Sequence, residues 1–195
     1  MDLEANKTRF LSILRDKVHR DGIENLIQWI EGSDFFVAPA SARFHGNYAG
    51  GLCEHSLNVY DCLVAMAARY PQFPYSDESI AISALCHDLT KANTMRLGKR
   101  NVKNPETGKW EAKDVYEHHI LFPGGHGEKS CFILQNFIRI TPDEYLAVRW
   151  HMGGYDTAVK GGDRSCSEAC EKCKLAAMLH IADMEASQLM EVTVL

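Results

Sequence analysis

The chain has 195 residues, 46% of them hydrophobic and 24% charged, with a net charge of −5 at neutral pH. That length and balance fit one globular domain and exclude disordered, collagen-like and coiled-coil classes. No apolar run nears the roughly 20 residues of a membrane span, and the acidic balance disfavours the basic face that extended duplex DNA binding needs.

The start, Met1-Asp2-Leu3-Glu4, lacks the basic and apolar regions of a signal peptide, so a cytoplasmic location is expected. The seven cysteines are an odd number in mostly apolar settings, which fits reduced, buried thiols. Apolar residues recur at helical spacing through most of the chain. Phe10, Leu11, Leu14 and Val18 predict a first helix, and Ile23, Leu26, Ile27 and Ile30 a second. Residues 1–40 are expected to be a helical extension packed on a single domain spanning 1–195. Gly50-Gly51 precedes a third helix, from about Leu52 to Tyr70, which Pro71 stops. Ser76 is the expected N-cap of a fourth, with Asp77 and Glu78 in its first turn and its end near Lys91.

Residues 96–122 break this pattern. Asn104-Pro105-Glu106-Thr107-Gly108 reads as a turn between two polar arms, Lys99–Lys103 and Lys109–Val115, which predicts an inserted β-hairpin or ordered loop. A helix resumes near Gly127 and runs to Ile138. Thr141-Pro142-Asp143-Glu144 combines an N-cap, a proline at the first position and a capping-box glutamate, and opens a helix carrying Trp150 and His151. A glycine-rich loop, Gly153 to Gly162, leads to a last helix expected in one piece from about Ser167 to Met190. The expected fold class is all-α, a helical bundle with one inserted hairpin.

The chemistry concentrates in histidines and aspartates. His87-Asp88 follows the apolar run Ile80 to Cys86, and neighbouring helical side chains about 100° apart can lean toward one ion. Imidazole and carboxylate together suit a first-row metal that keeps open positions for water and substrate. Asp183 sits in the apolar run Ala176 to Ala182, where an unpaired carboxylate costs several kcal/mol to bury and calls for a cation. His55 follows Gly50-Gly51-Leu52-Cys53-Glu54, His126 lies between two glycines, and His151 precedes Gly153-Gly154.

The order His55, His87-Asp88, His126, His151, Asp183 resembles the HD superfamily of metal-dependent phosphohydrolases, over about Phe44 to Gln188. The stretch His45-Gly46-Asn47-Tyr48-Ala49-Gly50-Gly51-Leu52 is similar to the branch that includes 3′-to-5′ exoribonucleases. Where many members read His-Asp-x-Gly-Lys, this chain has His87-Asp88-Leu89-Thr90-Lys91, keeping the lysine and replacing the glycine. The resemblance implies an HD-type bundle binding one or two divalent transition metals, drawn from Mn, Fe, Co, Ni and Zn. His55, His87, Asp88 and Asp183 would hold one ion, and Asp88 would bridge to a second on His126 and His151. Such a pair can lower the pKa of water to about 7 and steady an in-line displacement at phosphorus. Asp88 then has a catalytic role, with Lys91 and Lys129 as candidates to neutralise phosphoryl charge.

The implied activity is hydrolysis of a phosphomonoester or phosphodiester of a nucleotide or a short single-stranded nucleic acid. His45 is expected near the pocket mouth. The hairpin is a candidate lid, with Arg100 among its cations and Trp110 as a stacking platform for a base. Cys166, Cys170 and Cys173 lack an obvious fourth ligand and read as packing, His180 as a core or supporting histidine, and His118 and His119 as solvated. Two rival classes share the ligand order: a non-catalytic metal- or nucleotide-binding module, and a di-iron oxygenase on the same scaffold.

Overall fold

Helix α1 (Leu3–Lys17) begins where the Asp2 carboxylate accepts the Ala5 amide at 3.0 Å, and it buries Phe10, Leu11 and Leu14. Helix α2 (Ile23–Gly32) buries Leu26, Ile27 and Ile30 on the face that the sequence pattern marks. The structure, a computed structural model, describes residues 2–120 and 122–191. Helix α3 (Gly51–Arg69) starts after a left-handed Gly50. A Cβ at Gly51 would run into the Gly46 carbonyl, so the double glycine lets the preceding loop close against the helix start. Helix α4 (Asp77–Cys86) is capped by Ser76, whose hydroxyl accepts the Ser79 amide at 3.1 Å.

All residues of α4 from Ile80 to Cys86 are buried, which makes it the central helix. One cluster of side chains, with Phe10, Leu26, Leu57, Ile82 and Leu134, packs α1 and α2 against α3, α4 and helix α5 (His126–Gln135). A second, with Leu63, Ile80, Ala147 and Leu179, packs α3 and α4 against helices α6 (Pro142–Trp150) and α9 (Lys174–Glu185). Arg20, between α1 and α2, pairs with the fully buried Glu144 of α6 at 2.6 Å. Glu144 also completes the expected capping box with Thr141.

The expected hairpin is present, with longer arms than the polar run marks. Strand β1 (Met95–Lys103) pairs antiparallel with β2 (Trp110–His118), in a register running from Met95 opposite His118 to Lys103 opposite Trp110. Gly108, at φ +67°, closes the turn, and its amide donates to the Asn104 carbonyl at 2.9 Å. The fold is therefore an all-α bundle with one inserted two-stranded hairpin.

Three expected boundaries are corrected. The fourth helix stops at Cys86, not near Lys91, and a 3-10 turn at Leu89–Lys91 follows. The glycine-rich loop holds a 3-10 turn at Gly153–Tyr155 and a short helix α7 (Thr157–Lys160). The expected single last helix is divided into α8 (Ser165–Lys172) and α9, with Cys173 extended between them and a π-helical turn at Ala186–Met190 after α9. The break is held from a distance, because the Tyr75 hydroxyl accepts the Leu175 amide at 3.0 Å and satisfies a donor at the new helix start. Among the described residues no helix is long and apolar enough to cross a membrane.

Candidate metal centre

Two helices end in the same way at one point. His87 follows the last residue of α4, and its Nδ1 lies 2.7 Å from the Ala84 carbonyl. His151 follows the last residue of α6, and its Nδ1 lies 2.7 Å from the Val148 carbonyl. A carbonyl can only accept, so each Nδ1 carries a proton and donates it to a carbonyl left free at a helix end. Each ring then turns its Nε2 into the space between the helices. This local bond is also why α4 ends before Asp88, which adopts φ −109° and ψ 20° and leaves the helical path.

His55, in the second turn of α3, is fixed from the other side. Its Nδ1 lies 3.0 and 3.2 Å from the two carboxylate oxygens of Glu191, so Nδ1 donates and Nε2 faces inward. That Nε2 is 3.3 Å from His87 Nε2, 3.3 Å from Asp183 Oδ1 and 3.7 Å from Asp88 Oδ2. His126 reaches the centre because its neighbour is glycine. A Cβ at Gly127 would strike the Val148 and Arg149 carbonyls, so only glycine lets the start of α5 press on the end of α6. The rings of His45, His55, His87, His151 and His126 thus form a continuous row, with neighbouring centroids 4.8 to 5.3 Å apart.

Asp88 stands between two sets of nitrogens. Its Oδ2 is 3.3 Å from His87 Nε2, and its Oδ1 is 2.6 Å from His126 Nε2 and 3.6 Å from His151 Nε2. Four groupings of these residues hold donor atoms close enough to chelate one ion: His55, His87 and Asp88; His87, His151 and Asp183; Asp88, His126 and His151; and His45, His55 and Glu191. The buried His151 Nε2 has no hydrogen-bond partner among the described residues. Leaving such a lone pair unmet costs free energy, and a cation would meet it. The Nδ1 bonds to carbonyl and carboxylate are the supporting contacts that metal-bound histidines make. The residues present fit a divalent transition metal.

Electrostatics point the same way. Burial opposes charge on Asp88, but Lys91, His87, His126 and His151 hold its carboxyl well below the usual range. Asp183 is held low against burial by His55. Burial also opposes charge on His55, yet Asp183 and Glu191 push its pKa up to about 9. A fully buried ring drawn toward protonation marks a place that attracts positive charge. His45, by contrast, is pushed down to about 4 by burial, His55 and Lys91.

The six expected ligands, His55, His87, Asp88, His126, His151 and Asp183, come together here. Lys91 is beside them, its Nζ 2.6 Å from Asp88 Oδ2. A cavity of about 790 Å³ opens onto Asp88, Lys91, His126 and Asp183, and His45 also lines it. Lys129, on α5, does not line the cavity, and its side chain lies against Gly124. Arg100 and Trp110 do not line it either. Arg100 faces Glu117 along the hairpin at 3.8 Å, and Trp110 is 70% exposed beside the turn. His180 supports the centre from behind, with its Nδ1 donating to the His151 carbonyl at 2.6 Å.

Sequence reasoning missed Glu191 and Asn58, whose amide donates to Glu191 at 3.1 Å. It also missed Arg43, Phe44, Tyr155 and Gln188 on the cavity wall. An acid eight residues beyond Asp183 in a histidine-rich chain was the only signal for Glu191, and it was faint. All seven cysteines are free thiols, and none joins a chelating group among the described residues. Burial pushes Cys53 and Cys86 up to about 12, which makes them inert.

No protein-family model, curated protein or solved structure matches the chain. What stands on the molecule itself is an all-α fold with clustered histidines and aspartates able to chelate a metal ion.

Proposed function

We propose that the chain is an HD-type, metal-dependent phosphohydrolase, cleaving a phosphomonoester or phosphodiester of a nucleotide or short single-stranded nucleic acid. The observation that carries this reading is Asp88, with one oxygen turned to His87 and the other to His126 and His151. In this reading His55, His87, Asp88 and Asp183 would hold one divalent transition-metal ion, and Asp88, His126 and His151 would hold a second. Bound there, such ions supply a water with its pKa lowered to about 7 and offset charge on the phosphoryl group.

The chain's own groups do the rest. Lys91, now against Asp88, can turn its ammonium to a phosphoryl oxygen once a cation takes over the carboxylate. His45 lines the cavity beside the centre and would contact a substrate there. Lys129 would add a second, more distant positive charge. In the net reaction water oxygen bonds to phosphorus, the ester P–O bond breaks, and a water proton passes to the leaving oxygen.

The test is to strip the protein, reload it separately with manganese, iron, cobalt, nickel or magnesium, and screen nucleotides for release of phosphate and short oligonucleotides for release of nucleotides. Turnover with a transition metal is expected, and Asp88→Asn should lose metal and turnover together. Bound metal with no release from any substrate would move the chain to the non-catalytic class. Oxygen uptake with a polyol would move it to the oxygenases.

A further inference from the structure

The cavity over the centre has two ends of different chemistry. Its floor is charged, with Asp88, Lys91 and Asp183. Its wall also carries two aromatic rings from distant parts of the chain: Phe44, 81% exposed, from the loop before α3, and Tyr155, 58% exposed, from the turn after α6. Single exposed aromatics are ordinary on a protein surface. Two on the wall of one charged cavity are a different matter, because an aromatic ring is a surface on which a base can stack; the Lys160 Nζ lies over the Tyr155 ring, 5.8 Å from its centroid.

Phe44 is held by a built turn. The Ser41 hydroxyl accepts the Phe44 amide at 2.7 Å and donates to the His45 carbonyl at 2.9 Å. The Ala40 amide closes the loop onto the Gly46 carbonyl at 2.9 Å. Tyr155 is held likewise, its amide donating to the Met152 carbonyl at 3.0 Å. Arg43 lines the same cavity and has no ion-pair partner among the described residues. Gln188, opposite in chain order, brings an amide that can both donate and accept.

We propose that Phe44 and Tyr155 determine specificity by stacking the base of a mononucleotide, while Arg43 helps hold its phosphate and Gln188 reads the base edge. This rests on the phosphohydrolase reading and adds the substrate class to it. A ligand with an anionic phosphoryl end and a planar aromatic end matches the floor and the wall in one pose. A cavity of about 790 Å³ falls within the roughly 300–1,000 Å³ of small-molecule sites. A strand would need cations along its backbone, and the cationic hairpin does not line this cavity.

The experiment compares wild type, Phe44→Ala, Tyr155→Ala and Phe44→Trp, all loaded with manganese. Each is given a nucleoside monophosphate, ribose 5-phosphate (the same ester without a base) and a short single-stranded RNA. Binding is read by equilibrium dialysis, and turnover by phosphate release from the two monoesters and nucleotide release from the RNA. Each alanine should raise the dissociation constant and KM for the mononucleotide at least about fivefold, the weak end of base–aromatic stacking. Ribose 5-phosphate should respond to neither alanine, bound metal should not change, and Phe44→Trp should restore mononucleotide binding. Equal responses with and without the base, or none, would overturn the stacking role. An alanine effect confined to the RNA would overturn the mononucleotide assignment. If wild type binds the mononucleotide with these responses but turns over none of the three, stacking stands and the hydrolase reading alone fails.

Discussion

Glu191 offers the sharpest test of how the centre is held. Its carboxylate takes the His55 Nδ1 proton at 3.0 Å and the Asn58 amide at 3.1 Å, and it is 3% exposed. Glu191→Ala would leave the buried His55 N–H without a partner, which costs about 1–3 kcal/mol. The ring can escape that cost by moving its proton to Nε2, where it points at Asp183 and no longer offers a lone pair to a metal. Losing a supporting partner of this kind typically weakens metal affinity about 10–100-fold, or about 1.4–2.8 kcal/mol, in agreement with the unmet-donor cost. Glu191→Gln keeps one oxygen for His55 but sets its amide against that of Asn58, so it should lose less, under about tenfold. A competitive titration of the stripped protein against a chelating metal indicator measures both variants. If Glu191→Ala binds metal within about twofold of wild type and keeps its helical signal, the supporting role is refuted.

Gly153 has φ +49°, and a Cβ there would enter the His180 ring, so Gly153→Ala should displace His180, loosen His151 and lower metal affinity along with the melting temperature. Arg20→Ala should destabilise the fold by about 3 kcal/mol in chemical denaturation, because it strands the buried Glu144 carboxylate. Burial favours the neutral form of Glu144, but Arg20, the Thr141 amide and Ser79 outweigh it and lower its pKa below the ordinary 4.5. Its contribution to stability is therefore full above about pH 4.5 and lost as pH falls through the lowered value, and wild type, but not Arg20→Ala, should show that acid-side loss. Cys166→Ser should leave metal content and turnover unchanged, and loss of a stoichiometric zinc on elemental analysis would reveal a thiolate site instead.

Most of the scaffold could be read from local pattern because local physics sets it. Ser76 and Thr141 cap where hydroxyl side chains cap, and Ile80 to Cys86, apolar on every side, form the fully buried central helix. The ordered set from His55 to Asp183 was visible as residue types whose burial demands a partner. What escaped was decided by contacts distant in sequence. The break at Cys173 depends on the Tyr75 hydroxyl, about a hundred residues earlier, and apolar periodicity runs straight through it. The end of α4 depends on one ring bonding back to Ala84, which composition does not show. The hairpin's cations and tryptophan could be read but their direction could not, since both strands are largely solvent-exposed and no buried face orients them. Phe44 and Tyr155 were invisible for a related reason: each is an ordinary exposed aromatic until the fold sets both on one cavity.

The placement of the centre follows from how the two cores meet. The first core packs one side of α4 and the second packs the other, and the polar groups of the centre gather where α4 and α6 end. Bare helix-end carbonyls there would be costly, and His87 and His151 satisfy one each with Nδ1 while turning Nε2 inward. The bonds that finish two helices therefore also aim two ligands. Asp88, expelled from the helix by the same ending, falls between them, and Asp183 and His55 complete the wall from α9 and α3. The acids Asp88, Asp183 and Glu191 outnumber the permanent cations Lys91 and Arg43 that line the same cavity, which leaves a net negative space. Filling it with apolar side chains would stabilise the bundle more simply. Retaining buried, mutually repelling lone pairs at the junction makes physical sense when a cation occupies it, and then the binding energy of the ion also holds the two cores together.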